Sequence, residues 1–127
     1  MLGFDKIHHI AIIGSNYDQS KNFYVNLLGA QVIRETYREE RKDWKLDLLL
    51  AGCEIELFII PDRPKRPSYP EALGLRHLAF QVKDVEKTAR ELNRLGIETE
   101  PIRMDDITDK RMTFFFDPDM QPLEIHE

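Results

Sequence analysis

Two histidines and two glutamates stand at matched positions in this chain. Glu56 follows His9 by 47 positions, and Glu124 follows His77 by the same 47, each residue lying in a short apolar run. Two imidazoles with two carboxylates suit Zn²⁺, Ni²⁺ or Co²⁺, with Mn²⁺ or Fe²⁺ also possible, whereas Ca²⁺ prefers oxygen throughout. Two glutamates in one apolar cleft would repel each other, and a dication would cancel their charge. The duplicated spacing therefore predicts one divalent metal ion held by all four side chains.

Other polar and reactive residues near these runs are weaker candidates. Glu54 shares a strand face with Glu56, so it is a secondary candidate for the site. His8 is expected to face away from the site, and His126 stands almost at the end of the sequence, so we assign both to structural roles. Cys53 is the single cysteine and lies in an apolar run, which predicts a buried small side chain and not a nucleophile.

The elements that position the four residues form one unit written twice. A strand over residues 6–13 places His9, Ala11 and Ile13 on one face, and alternation and turn signals predict the order strand, helix and three strands in each copy. The predicted elements of the first copy after that strand are a helix over 18–28 and strands over 31–38, 44–51 and 53–60. Those of the second copy are a strand over 75–82, a helix over 85–95, and strands over 97–102, 110–116 and 122–126.

The segment between the copies cannot belong to a helix interior or a central strand. Residues 61–70 contain four prolines, which remove backbone donors and fix φ. We therefore predict a single domain over residues 1–127, with module 1 at about 5–60, a linker at 61–70 and module 2 at about 74–127. The fold class is α+β, built from two tandem βαβββ modules, and neither module alone would bury much core.

Composition excludes several classes of function. The 127 residues carry a net charge of −5 with no long basic run, which argues against a nucleic-acid partner. No apolar run approaches the roughly 20 residues of a membrane helix, and the first residues lack a secretory pattern. We expect a cytoplasmic protein that acts on a small molecule.

The chain resembles the vicinal oxygen chelate superfamily, and within it the glyoxalase I-like branch. The resemblance implies a half-open barrel of paired modules around a divalent metal, and its four ligand positions fall on His9, Glu56, His77 and Glu124. It also implies a homodimer, in which ligands come from one chain or from two. The matching segments are 7–12, 20–29, 55–57, 76–80 with Val82 and Asp84, 116–119 and 123–125.

The ligand set that the resemblance implies bears on the reaction. Retention of Glu56 matches the glyoxalase I pattern, which implies a metal-dependent lyase or isomerase that converts a small 2-oxo or hemithioacetal substrate through an enediolate. Glu56 and Glu124 are then candidate acid/base groups as well as ligands. One alternative is a non-haem Fe(II) ring-cleaving dioxygenase that uses His9, His77 and Glu124. Another is a non-catalytic protein of the same fold that binds a small ligand.

Two further features concern the substrate and one turn. Arg76 and Arg111 lie beside the predicted site strands and are our candidates for binding a substrate carboxylate, because a guanidinium can bind it through two hydrogen bonds. No glutathione-binding residues can be assigned from the resemblance. The family's Asp-Pro-Asp-Gly turn reads Asp-Pro-Asp-Met at residues 117–120, so we expect that backbone to form without the glycine.

Overall fold

The computed structural model describes residues 2–127, which divide into two compact units. The first unit ends at Pro64 and the second is Lys65–Glu127, so the division falls inside the proline-rich segment. Each unit contains a four-stranded sheet and helical structure, which confirms the predicted α+β class with two βαβββ modules. The single domain over both modules stays a prediction. No helix within residues 2–127 is both long and apolar enough to cross a membrane.

In the first unit, the first and last strands are parallel neighbours. The sheet order is β1-β4-β3-β2; β1 is parallel to β4, and the other neighbours are antiparallel. The helix α1 continues without a break into a π-helical segment. The elements of this unit are β1 (His9–Gly14), α1 (Tyr17–Lys21), its π-helical continuation (Asn22–Leu27), β2 (Gln31–Arg38), β3 (Asp43–Leu50) and β4 (Cys53–Ile59).

Helix α1 covers one face of this sheet and leaves the other open. The side chain of Asn16 accepts a hydrogen bond from the backbone N–H of Gln19 and caps the helix. The ring of Tyr17 lies 5.1 Å from that of Trp44. Trp44 lies on the same face of its strand as the buried Leu46 and Leu48, so the helix lies on the apolar face. The buried side chains of that face are Ile12, Leu46, Leu48, Ile55, Leu57 and Ile59.

The second unit repeats this topology with shorter strands. Its sheet order is β5-β8-β7-β6, with β5 parallel to β8. Asp84 caps α2 by accepting from the backbone N–H of Lys87 at 3.0 Å. Apolar side chains of α2 are buried, as are those on one face of β7 and β8. The elements are β5 (Leu78–Gln81), α2 (Val85–Arg94), β6 (Arg103–Met104), β7 (Arg111–Phe116) and β8 (Pro122–His126).

Most predicted boundaries agree with the structure to within one residue, and three differ for local reasons. The first strand begins at His9, not at residue 6, because its partner β4 begins only at Cys53. The strand predicted at 75–82 is shortened to Leu78–Gln81, since its ladder begins with Leu78 opposite Leu123. The strand predicted at 97–102 is wrong. Pro101 has no N–H to donate, and regular pairing starts only at Arg103.

The turn without its glycine forms by means of a left-handed residue. Met120 has φ of 66°, the conformation that glycine adopts without cost. The Asp117 carboxylate accepts from the N–H groups of Asp119 and Gln121 at 2.8 and 2.9 Å. These side-chain hydrogen bonds hold the turn closed, and Met120 carries the strain.

Candidate metal site

The first histidine–glutamate pair lies on the open face of the first sheet. Glu56 stands opposite Ala11 in the parallel β1–β4 ladder, and His9 lies two residues earlier on the same face. The Nε2 atom of His9 is 3.4 Å from Oε2 of Glu56. The exposed fraction of the Glu56 side chain is 15% and that of His9 is 38%. Strand alternation thus brings one imidazole and one largely buried carboxylate together.

A lysine on the neighbouring strand contacts the other oxygen of Glu56. The Nζ atom of Lys45 lies 3.3 Å from Oε1 of Glu56 and 3.5 Å from Oδ1 of Asp47. Asp47 stands directly opposite Glu56 in the β3–β4 ladder and is buried. Its other oxygen lies 3.3 Å from Nε of Arg34 on β2. The open face therefore carries a row of ionisable side chains in contact with one another that crosses all four strands.

The far end of this face is held by a two-point ion pair. Arg38 donates from Nε and Nη2 to the two oxygens of Asp43 at 2.6 and 2.7 Å. These hydrogen bonds lower the pKa of Asp43 and raise that of Arg38. The Arg38 guanidinium also lies 4.8 Å from the ring centre of Phe58, and Lys45 lies 5.7 Å from the same ring. The backbone of β2 and β3 is thereby fixed beside the site.

The second histidine–glutamate pair is tighter and has aromatic surroundings. The Nε2 atom of His77 lies 3.0 Å from Oε2 of Glu124, whose side chain is 9% exposed. Phe114 stands opposite Glu124 in the β7–β8 ladder, and its ring meets that of His77 edge-on at 5.0 Å. Phe114 thus takes the place that Asp47 holds in the first unit. Within residues 2–127, no lysine or arginine lies within ion-pair distance of Glu124.

Two arginines lie beside the aromatic ring of this second pair. Their guanidinium carbons are 5.7 Å (Arg76) and 5.4 Å (Arg103) from the centre of Phe114. Arg76 also donates to Glu71 at 2.8 Å, and more than half of its side chain is exposed. A half-exposed guanidinium beside a histidine–glutamate pair is able to bind an anionic group. The structure is compatible with the predicted role of Arg76, which stays a prediction.

Arg111 lies among acidic groups of its own unit. Its guanidinium is 2.6 Å from Glu127, 3.2 Å from Glu86 and 3.8 Å from Asp84. The hydrogen bond with Glu127 raises the pKa of Arg111 and lowers that of Glu127. Glu127 in turn accepts from the N–H of Val85 at the start of α2. These contacts connect β7 and the end of the chain to the helix, and the predicted substrate role of Arg111 stays untested.

The residues assigned to secondary or structural roles also have definite contacts. The Nδ1 atoms of His8 and His9 are 2.9 Å apart, so one ring donates to the other. Glu54 lies 3.8 Å from His8. His126 contacts the backbone oxygen of Glu127 at 2.6 Å and Asp105 at 3.3 Å, and these partners, the carbonyl first, raise the pKa of His126. The half-buried Cys53 lies in β4 with its thiol towards the backbone oxygen of Glu54.

The family of the chain is shown by a match that covers almost the whole sequence. The family model of the Glyoxalase/Bleomycin resistance protein/Dioxygenase superfamily matches residues 6–125. The chain belongs to this superfamily. This confirms the resemblance drawn from the repeated histidine and glutamate segments.

The similarity to individual known proteins extends over nearly all of the chain. It is 63% identical over 122 residues to the uncharacterized protein YwkD of Bacillus subtilis (strain 168), with 95% of each chain covered. A glyoxalase family protein from Enterococcus faecalis has the same fold, with a TM-score of 0.94, 60% identity and 98% of each chain covered. The metallothiol transferase FosB of Staphylococcus saprophyticus is 28% identical over 125 residues, covering 94% of this chain and 75% of its own.

The donor set fits a divalent metal of the kind that this superfamily is expected to hold. Each unit presents one imidazole Nε2 towards one carboxylate oxygen, and both carboxylates are mostly buried. Among the described residues, 2–127, no third His, Cys, Asp or Glu side chain joins either pair in a group that could hold a metal ion. A divalent cation would bind both the imidazole nitrogen and the carboxylate oxygen of such a pair, and its charge would balance that of the buried carboxylate. Joint binding by all four ligands stays a prediction.

Sequence reasoning missed four side chains that surround the two pairs. They were discoverable in part, because Lys45 and Asp47 alternate with Trp44 and Leu46 and so must lie on the face opposite the core. Phe114 and Arg103 had no such signal. Residues 114–116 of β7 are all phenylalanine, so the sequence does not indicate which of them face the core. Arg103 was missed because β6 lies at Arg103–Met104 and not at the predicted 97–102. The four missed side chains are Lys45, Asp47, Arg103 and Phe114.

Proposed function

We propose that this chain is a metal-dependent lyase or isomerase of the glyoxalase I type that acts on a small 2-oxo or hemithioacetal substrate. The observation that carries the proposal is the duplicated pairing of a histidine Nε2 with a glutamate oxygen, at 3.4 Å for His9 and Glu56 and at 3.0 Å for His77 and Glu124. The first pair lies on the open face of its sheet, and the histidine of each pair is partly exposed, by 38% for His9 and 25% for His77.

These four residues would hold one divalent ion, with Zn²⁺, Ni²⁺ or Co²⁺ preferred for this donor set and Mn²⁺ or Fe²⁺ possible. When bound, the ion supplies positive charge that stabilises negative charge on a substrate oxygen. Glu56 then accepts the proton from the carbon beside the carbonyl, and the same carboxyl returns it to the adjacent carbon. Glu124 is the second acid/base group. Because Glu56 has one oxygen directed to His9 and one to Lys45, its carboxylate is oriented before substrate arrives.

Arg76 is our proposed anchor for the anionic end of the substrate. It lies beside His77, with Nη1 3.5 Å from the ring nitrogen Nδ1, and its guanidinium is over half exposed. Arg111 is the second proposed anchor, and binding through it requires a substrate group that displaces an acidic partner.

A second candidate is transfer of a thiol to a small anionic substrate. It is favoured by the 28% identity to a metallothiol transferase and by the two arginines beside Phe114. In this reaction the thiolate sulfur would form a bond to a substrate carbon while the bond from that carbon to its leaving group breaks, and the leaving group would take up the thiol proton. The same side chains would hold the metal ion. A product that incorporates the thiol separates it from isomerisation.

We further propose that the protein is a cytoplasmic homodimer. Exposed apolar side chains precede β1 and β5 in both units, and a second copy could cover them. They are Leu2, Phe4, Ile7, Leu73 and Leu75. Sedimentation of the purified protein at the mass of two chains would support the dimer, and sedimentation at the mass of one would refute it.

The test of the proposed reaction combines metal content with matched glutamate variants. We expect purified protein to retain about one divalent ion per chain and to convert methylglyoxal in the presence of one of several thiols. Glu56→Gln should abolish turnover and leave the thermal midpoint of the metal-free protein nearly unchanged. Glu54→Gln is the control, since Glu54 is on the same face of the same strand and contacts His8 instead of His9. Full activity of Glu56→Gln would eliminate this mechanism.

A further inference from the structure

The two histidine–glutamate pairs differ in one respect that their sequence spacing conceals. Glu56 already has a cation, because Lys45 lies 3.3 Å from its Oε1 atom. Among residues 2–127, Glu124 has its ion pair with His77 and none with a lysine or arginine. One carboxylate is therefore neutralised by the protein itself, and the other lacks a permanent positive charge.

Lys45 is able to release Glu56 without leaving the face. Its Nζ atom is also 3.5 Å from Oδ1 of Asp47, a side chain that is only 6% exposed. The Nζ atom of Lys45 also lies 5.7 Å from the ring centre of Phe58. When Glu56 engages another cation, the ammonium keeps Asp47 as its partner, and a short shift of the lysine is sufficient.

We propose that Lys45 is a positioning residue that competes with a metal ion for the Glu56 carboxylate and so weakens metal binding at Glu56. This rests on the proposed function, since it assumes that Glu56 is a ligand. A lysine ammonium and a dication compete for the same carboxylate, and their mutual repulsion at a few ångströms is large in a half-buried site. Glu56 is consequently shared between the metal and Lys45, and the ammonium weakens the hold of this carboxylate on the metal.

The experiment measures Zn²⁺ affinity in the full chain by competition with a chromophoric chelator. Lys45→Met removes the ammonium and keeps the stem, and we expect it to bind Zn²⁺ at least about tenfold more tightly than the wild type. Arg34→Met is the matched control. It removes a cation from the same face whose ion pair is with Asp47 and not with Glu56, so its effect should be below about threefold.

A double-mutant cycle attributes the effect to Glu56. The gain from Lys45→Met should vanish when Glu56→Gln is also present, since the neutral amide leaves no carboxylate for the ammonium and the metal ion to compete for. Lys45→Arg should restore the weaker affinity, and Lys45→Gln serves if the methionine variant does not fold. Wild-type affinity in Lys45→Met, or a gain that persists with Glu56→Gln, would overturn the role of Lys45 while the metal site stands. Absence of Zn²⁺ binding in both wild type and Lys45→Met would overturn the proposed function and this inference together.

Discussion

The Nε2 atom of His77 lies 3.0 Å from Oε2 of Glu124, and both side chains are less exposed than their counterparts in the first unit. The exposed fractions are 25% and 9% for this pair, against 38% and 15% for His9 and Glu56. A charge interaction gains strength as water is excluded around it. The second pair should therefore contribute more to holding a dication than the first.

The two halves of the site can be separated by their contributions to metal retention. We expect Glu124→Gln to lower Zn²⁺ affinity about a hundredfold and Glu56→Gln to lower it about tenfold, because the lost carboxylate is more buried in the first case and is shared with Lys45 in the second. Dialysis against a graded series of chelator concentrations gives both values. Equal losses, or a larger loss from Glu56→Gln, would contradict the unequal roles of the two glutamates.

The two arginines predicted to bind substrate should respond differently to the same substitution. Arg76→Met removes an exposed guanidinium, so we expect KM for an anionic substrate to rise about tenfold with little change in Tm. Arg111→Met breaks contacts with three acidic groups at the helix end and should lower Tm by several degrees. Steady-state kinetics and thermal denaturation of both variants provide the comparison. An unchanged KM in Arg76→Met together with a raised KM in a stable Arg111→Met would reverse the assignment.

The turn at Met120 predicts a stabilising substitution. Met120→Gly should raise the free energy of unfolding by about 1 kcal/mol, because an L-residue with positive φ is strained and glycine is not. For a chain of this length, the Tm should rise by about 2–4 °C. Met120→Ala is the control, since it removes the same side-chain atoms beyond Cβ and keeps the strain, so it should bring no increase. Equal Tm values for the glycine and alanine variants would show that the positive φ has no energetic consequence.

The sequence allowed the fold to be predicted wherever local chemistry decides it. Asn16 and Asp84 cap the starts of the helices, and Gly29 and Gly96 follow their ends with φ near 80°, which are the residue types that favour these positions. Alternation in the first strand placed His9 on the open face. These features depend on neighbours within a few positions along the chain.

What the sequence did not reveal depends on contacts across strands. Lys45 contacts Glu56 because the β3–β4 ladder places Asp47 opposite Glu56 and Lys45 two residues before Asp47. Sequence spacing predicts neither this register nor the conformation of the Lys45 side chain. The displaced strand at Arg103–Met104 has the same origin. Residues 97–102 alternate adequately, but Pro101 interrupts the donors, and Glu100 is joined to β7 by a single backbone hydrogen bond to Phe114.

The ion pair between Arg38 and Asp43 predicts how stability depends on pH. The hydrogen bonds from Arg38 hold the pKa of Asp43 below its ordinary value of 3.8. The Asp43 carboxylate therefore binds a proton less readily in the folded state than in the unfolded chain. The pair therefore contributes its full stability above that ordinary value, and the contribution is lost as pH falls through the lower pKa of the folded state.

Asp43→Asn should accordingly have a lower Tm than the wild type at neutral pH, and the two Tm values should converge as the pH falls below about 4. Thermal denaturation at pH values from about 3 to about 7 measures this difference, and Asp5→Asn, an exposed carboxylate before β1, is the control. Because other carboxylates titrate in the same range, the difference between variants is informative and the shape of either curve alone is not. A Tm difference that stays constant across this range would show that Arg38 does not hold Asp43 in its ionised form.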